Sequence, residues 1–172
     1  MSQEPRYLMS FDCGLSYVGG ALFDLDQKKM LECYYIDTGV DARDEAEQTA
    51  DLVSKIHETF KPYLNNEGIV VVEYPEQYSI TPAPRSSVQG LACTGGGIVC
   101  MLKRPNNKVQ FVLPKTWKGQ VPKDIMLERI VSKLDDEEKS LLEVKKYAKY
   151  KKHNVIDAIG LGLFKLERLR GY

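Results

Sequence analysis

Three carboxylates stand where short apolar runs end. Asp12 closes Tyr-Leu-Met-Ser-Phe-Asp, Glu73 closes Ile-Val-Val-Val-Glu, and Asp157 lies within His-Asn-Val-Ile-Asp-Ala-Ile-Gly. Acids at the ends of buried strands raise one another's pKa unless a cation neutralises them, so the arrangement predicts a metal site. Oxygen-only ligation suits Mg²⁺ or Mn²⁺. Any one of these acids could instead end a strand or cap a helix; the three together favour the metal site.

Basic residues collect beside the same places. Residues 145–152 hold five lysines and no acid, and the window Pro114 to Lys123 contains Lys115, Lys118 and Lys123. A lysine run is ordinarily a solvated face. Here the run leads into His153 and Asp157, which would set basic surface against the acidic site. Formal net charge is zero, so any attraction to phosphate has to come from this local distribution.

The elements that must position these residues follow from periodicity. Residues 6–12, 17–25 and 30–36 read as three strands joined by tight turns, an antiparallel meander. Ala46, Ala50, Val53, Ile56, Phe60 and Leu64 recur at helical spacing, which predicts an amphipathic helix of about five turns. Residues 69–73 form a β-branched run suited to a strand buried on both faces. Pro75, Pro82 and Pro84 break the next stretch, and Ser86 or Ser87 can cap a helix to about Leu102. That helix carries Gly90, Gly95, Gly96 and Gly97, each costing roughly 1 kcal/mol in a helix interior, which calls for close packing on the sheet or on a second subunit. A strand over 109–113, helices over 123–134 and from Asp135, and a last helix from about Asn154 to Arg170 complete the chain. The result is an α/β fold, a mixed five-stranded sheet with helices on both faces.

At 172 residues and 43% hydrophobic, residues 1–172 suit one globular domain with a full core. No apolar stretch is long enough to cross a bilayer, and Met-Ser-Gln-Glu-Pro-Arg lacks a signal-peptide layout, so a cytosolic protein without membrane partners is expected. Four cysteines, Cys13, Cys33, Cys93 and Cys100, lack zinc-site spacing and read as reduced core thiols.

The order of elements and the placement of the acids resemble the ribonuclease H-like superfamily. Local motifs narrow the resemblance: Ser10-Phe11-Asp12-Cys13-Gly14, Val71-Val72-Glu73-Tyr74-Pro75, Gly90-Leu91-Ala92-Cys93-Thr94-Gly95-Gly96, the segment Leu113 to Lys123, and His153 to Gly160. In order and spacing they are similar to the RuvC family of Holliday junction resolvases, and to its phage-encoded members, for which the location would be the host cytoplasm. The resemblance implies that Asp12, Glu73 and Asp157 bind metal, with Asp12 in the bridging position on a central strand. The family has an aspartate or histidine one helical turn before the last aspartate. Here Asn154 stands three residues before Asp157 and His153 four before. Either offset reaches the same helix face. His153 is the favoured ligand or proton shuttle and Asn154 a good N-cap, with Asn154 the secondary candidate for the site.

The same resemblance implies that Lys118 and Lys123 hold DNA phosphate, though either could be an ordinary surface lysine. Tyr74 or Tyr78 could stack on unpaired bases at a crossover, or be a plain loop tyrosine. Two Mg²⁺ ions about 4 Å apart, with Mn²⁺ as substitute, would activate water and stabilise the leaving 3′ oxygen. A homodimer would place paired nicks with 5′ phosphates across a four-way or otherwise branched DNA junction. Rival readings are a sugar kinase or actin-like ATPase built on the segment around Asp12 and Gly19-Gly20, a catalytically silent junction-binding module, and a nuclease acting on flaps or RNA–DNA hybrids. The kinase would require a second such domain around its nucleotide, so no nucleotide cofactor is expected.

Overall fold

The structure, a computed structural model, describes residues 6–39, 44–75, 85–144 and 149–169. Strands β1 (Tyr7–Cys13), β2 (Tyr17–Asp24) and β3 (Lys29–Asp37) form the expected meander. Helix α1 (Glu45–Phe60) follows, then β4 (Gly68–Glu73), α2 (Arg85–Leu102) and β5 (Asn107–Val112). Four helices complete the chain: α3 (Pro114–Trp117), α4 (Lys123–Ser132), α5 (Asp136–Val144) and α6 (Lys149–Lys165). The strand order is β3-β2-β1-β4-β5; the first three strands pair antiparallel, while β4 pairs parallel with both β1 and β5.

Each face of the sheet carries its own core. Met9, Phe11, Leu22, Val70 and Val72 meet Leu52, Ile56 and Phe60 of α1 and Ile98 of α2. On the other face, Leu8, Ala21, Phe23 and Val71 meet Ile130 of α4 and Val155, Ile156 and Ile159 of α6. Because strand side chains alternate, Ser10 and Asp12 of β1 share the α6 face with Val71 and Glu73 of β4. Ser10 Oγ donates to the Ala158 carbonyl at 2.7 Å and ties β1 to α6.

Several boundaries differ from expectation. Helix α1 stops at Phe60 because Pro62 turns the chain into a 3₁₀ segment, although Leu64 stays buried. Helix α2 begins at Arg85, so Ser86 and Ser87 lie within its first turn rather than before it. Helix α6 begins at Lys149, five residues before Asn154. Asn154 is therefore a helix-interior residue and caps nothing. Part of the lysine run, Lys149, Lys151 and Lys152, belongs to the start of this helix, while Lys145 and Lys146 fall outside the described residues.

The cysteines also divide differently. Cys33 is buried and Cys13 half-buried, but Cys93 and Cys100 are exposed. They stand two turns apart on the outer side of α2, where an apolar neighbourhood in sequence does not mean burial in space. The glycines of α2 are mostly explained within the chain: a Cβ at Gly97 would come 2.8 Å from Val53 of α1, one at Gly90 would overlap Glu45, and one at Gly95 would touch Val72. A Cβ at Gly96 would meet nothing within 4 Å.

The far end of the α6 face is fixed by a buried ion pair. Glu138 is fully buried and accepts from Arg168 Nη1 at 2.6 Å and Nη2 at 2.7 Å, from the Met30 backbone at 2.7 Å and from the Asp135 backbone at 2.9 Å. Asp135 in turn accepts from the Glu138 N–H at 2.8 Å, a reciprocal cap that starts α5.

Candidate active site

Three elements bring the acids together. The parallel register of β1 and β4 runs through the pair Phe11–Val72, so Asp12 and Glu73 are one step further along adjacent strands, on the same face. Adjacent strands lie about 5 Å apart. Asp157 comes down from α6, whose neighbours Ile156 and Ala158 are buried against the sheet. The helix can approach because β2 offers no side chain there: a Cβ at Gly19 would overlap the Asn154 carbonyl.

A fourth element supplies the opposite charge. Pro114 opens α3 at its first position, and the Lys118 N–H donates back to the Pro114 carbonyl to close the single turn. Gly119 follows at φ +58°, in the left-handed region where glycine is unstrained. This turn aims two neighbouring side chains at Glu73. Trp117 Nε1 donates to Glu73 Oε2 at 2.7 Å. Lys118 Nζ lies 3.1 Å from Glu73 Oε2, 3.2 Å from Glu73 Oε1 and 3.3 Å from Asp157 Oδ2.

The electrostatics follow from this packing. Burial, then the charges of Glu73 and Asp157, push the Asp12 carboxyl well above its ordinary range, against the pull of Lys118 and Lys123. Burial also raises Glu73, while Lys118 and the Trp117 hydrogen bond draw it back down. Burial lowers Lys118, but Asp157, Glu73 and Asp12 outweigh it and leave the ammonium above its usual value. The site is an excess of negative charge held by one internal cation.

The remaining candidates are distributed around this centre. Lys123 is exposed at the first position of α4, where a cation opposes the helix dipole, and its charge is felt at Asp12. His153 is half-buried one turn before Asp157 on α6; none of the hydrogen bonds or ion pairs that join the acids, Trp117 and Lys118 includes it. Asn154 is half-buried beside it, its carbonyl against β2. Tyr74 is 40% exposed and packs edge-on to Phe111, 46% exposed, with ring centroids 5.1 Å apart. Strand alternation turns this pair toward the α2 side, away from the acids. Tyr78 lies outside the described residues.

The chain has a ribonuclease H-like fold. Its mixed five-stranded sheet and flanking helices superpose on Thermus thermophilus RuvC in complex with a Holliday junction substrate, with a TM-score of 0.66 over 91% of this chain and 90% of that one at 14% identity. A second Thermus thermophilus RuvC structure matches at 0.60 with 14% identity, over 91% of each chain. The yeast mitochondrial Holliday junction resolvase Ydc2 matches at 0.63 with 11% identity, over 94% of this chain and 78% of that one. No protein-family profile and no curated protein matches at the level of sequence. Within this ribonuclease H-like sheet Asp12 and Glu73 stand near the ends of the central strand and its parallel neighbour, and Asp157 faces them from α6.

Trp117 is the site residue that the motif reading missed as a working part. Its signal was local: an indole in a base-only window between a proline and a glycine. Its partner Glu73 is 44 residues away, a separation that local periodicity does not reveal. Among the described residues, no three acidic, histidine or cysteine side chains are close enough as placed to enclose a metal ion. The oxygen-only donor set and its uncompensated charge nevertheless suit a hard divalent cation, for which the Lys118 ammonium stands in.

Proposed function

We propose that the chain is a metal-dependent, structure-selective endodeoxyribonuclease that resolves four-way or otherwise branched DNA junctions by paired nicks, leaving 5′ phosphates. The observation that carries this reading is one cation position shared by Glu73 of β4 and Asp157 of α6, with Asp12 of β1 near enough on the same face for its carboxyl to feel both charges. Asp12, Glu73 and Asp157 would hold Mg²⁺ or Mn²⁺. Bound there, the metal supplies an acidified water and charge neutralisation at the leaving oxygen.

The chain's own residues do the rest. Trp117 fixes the orientation of Glu73, because an indole N–H has one direction in which to donate. Lys123, on a surface otherwise unfavourable for a cation, binds backbone phosphate and adds affinity without sequence preference. His153, one turn before Asp157, completes the metal site or takes up a proton. Tyr74 or Tyr78 stacks on bases opened at the crossover.

Symmetric resolution calls for two such sites, and we assign the homodimer contact to the outer side of α2. Gly96 there has open space, and the shallow apolar groove beside it, between α1 and α2, is lined by Ala46, Ala50, Val53 and Gly97. No helix of the described residues is long and apolar enough to cross a membrane.

The test is a comparison of a mobile four-way junction, a flap, a linear duplex and an RNA–DNA hybrid under Mg²⁺, with light scattering of the free and DNA-bound protein. The reading expects the junction to be cut fastest, by a dimer, with paired nicks that ligase reseals. Preference for the flap or the hybrid, or single nicks from a monomer, would move the function to another branch of the same chemistry.

A further inference from the structure

The cation in this acidic site is part of the chain itself. An ammonium has three N–H donors, and Lys118 Nζ has three carboxylate oxygens within 3.1 to 3.3 Å, two from Glu73 and one from Asp157. The same group lies 4.9 Å from the centroid of the Trp117 ring. Two of its hydrogen bonds and its charge are therefore committed to the acids. In this arrangement Lys118 is a poor ligand for a DNA phosphate.

The oxygens that hold Lys118 are the ones that a divalent cation would need. An ammonium and a divalent cation a few ångströms apart repel strongly in a partly buried site, so the two cannot share Glu73 and Asp157. The Lys118 backbone is fixed at the end of α3, while its side chain is 24% exposed and opens to solvent on one side. Trp117 donates to Glu73 independently, so Glu73 keeps its orientation whether or not the ammonium is present.

We propose that Lys118 is an exchangeable counter-ion: a divalent cation entering the site displaces its ammonium from Glu73 and Asp157, and the released ammonium becomes the group that takes the substrate phosphate. This inference rests on the nuclease reading above and adds a coupling to it. Metal loading frees a phosphate ligand, and phosphate that draws Lys118 away makes room for metal, since coupling between two ligands is reciprocal. It also accounts for the lack of a ready-made metal cage among the described residues: Lys118 holds two of the acids around itself.

The experiment uses the full chain without DNA. Mg²⁺ affinity is measured by calorimetry for wild type, Lys118→Met and Lys118→Arg, and the lysine ammonium signals of the wild type are followed by ¹H–¹⁵N NMR through the same titration. Either variant assigns the Lys118 signal by its loss, so a folding failure in one leaves the test intact. Removing a competitor that holds the site most of the time should tighten Mg²⁺ binding in Lys118→Met by about tenfold or more, with Lys118→Arg close to wild type. The Lys118 signal should leave its protected position with the same midpoint as metal binding. Saturation by Mg²⁺ with that signal unmoved, or Lys118→Met no tighter than wild type, would overturn the exchange. A wild type that binds Mg²⁺ and cuts junctions while Lys118 stays in place loses only this inference; one that neither binds Mg²⁺ nor cuts loses the nuclease reading with it.

Discussion

Gly19 is the cross-strand partner of Asp12, and it lies directly beneath the Asn154 carbonyl of α6. One residue without a side chain thus sets two distances: how closely α6 approaches the sheet, and so how far Asp157 stands from Asp12. The obstructing atoms are backbone and cannot rotate away. Gly19→Ala should cost about 1–3 kcal/mol from overpacking and also lower junction cleavage in the protein that remains folded. Gly96→Ala, measured at concentrations low enough to keep the chain monomeric, is the control. With nothing within 4 Å of its Cβ, it should raise monomer stability by up to about 1 kcal/mol through helix propensity. Thermal unfolding of both variants checks the pair; equal effects would mean that α6 is not seated on Gly19.

Asp12 should make the free protein less stable as pH rises. Its carboxyl pKa is raised in the folded state, chiefly by burial and then by Glu73 and Asp157, so the folded protein binds more protons than the unfolded one above the ordinary aspartate range. The stabilisation is complete below about pH 4 and is lost as pH rises through the folded value. Asp12→Asn, neutral at every pH, should therefore melt higher than wild type at neutral pH, with the gap closing toward pH 4. Mg²⁺ should narrow the gap from the other side by stabilising wild type more than the variant. Melting curves from pH 4 to 8, with and without Mg²⁺, test this.

The two site lysines should differ in how they affect DNA. Lys123 is exposed and free to contact phosphate directly, so Lys123→Ala should weaken junction binding across sequences. It should also flatten the slope of log affinity against log salt by about one unit. Lys118→Ala should show that loss when Mg²⁺ is present and much less without it, because the acids otherwise hold its ammonium. Fluorescence anisotropy over a salt series, with and without Mg²⁺, separates the two.

His153 and Asn154 remain the pair to divide. His153→Ala should reduce cleavage strongly, since its imidazole is the ring that would ligate metal or accept a proton. Asn154→Ala should leave cleavage largely intact and, with no cap to lose inside α6, cost little stability. Single-turnover cleavage at saturating Mg²⁺ decides. An active His153→Ala beside a folded but inactive Asn154→Ala would assign the fourth position to Asn154.

The strands and their terminal acids are legible because a β-branched run such as Ile69 to Glu73 signals a buried strand by composition alone, and its last residue then stands at the strand's end. Helix α3 is not, because four residues carry no 3.6-residue period; only Pro114 and Gly119 mark its ends. Periodicity puts the start of α6 five residues late for a related reason. Its first turns are lysine-rich, and the apolar face begins at Val155. A helix starting there would make Asn154 its cap. The outward turn of Cys93 and Cys100 depended on which side of α2 meets α1, and the contacts of Trp117 and Lys118 with Glu73 depended on tertiary folding.

The central claim is that Asp12, Glu73 and Asp157 work as one metal-dependent centre on branched DNA. Its most direct test is single-turnover cleavage of a mobile four-way junction in Mg²⁺ by wild type, Asp12→Asn, Glu73→Gln and Asp157→Asn, with junction binding measured in parallel. The account predicts paired nicks from wild type, and in each variant a loss of roughly a thousandfold or more with binding largely retained, because losing a ligand disables the metal yet also removes repulsion toward phosphate. Wild-type rates in any one of the three variants would contradict it.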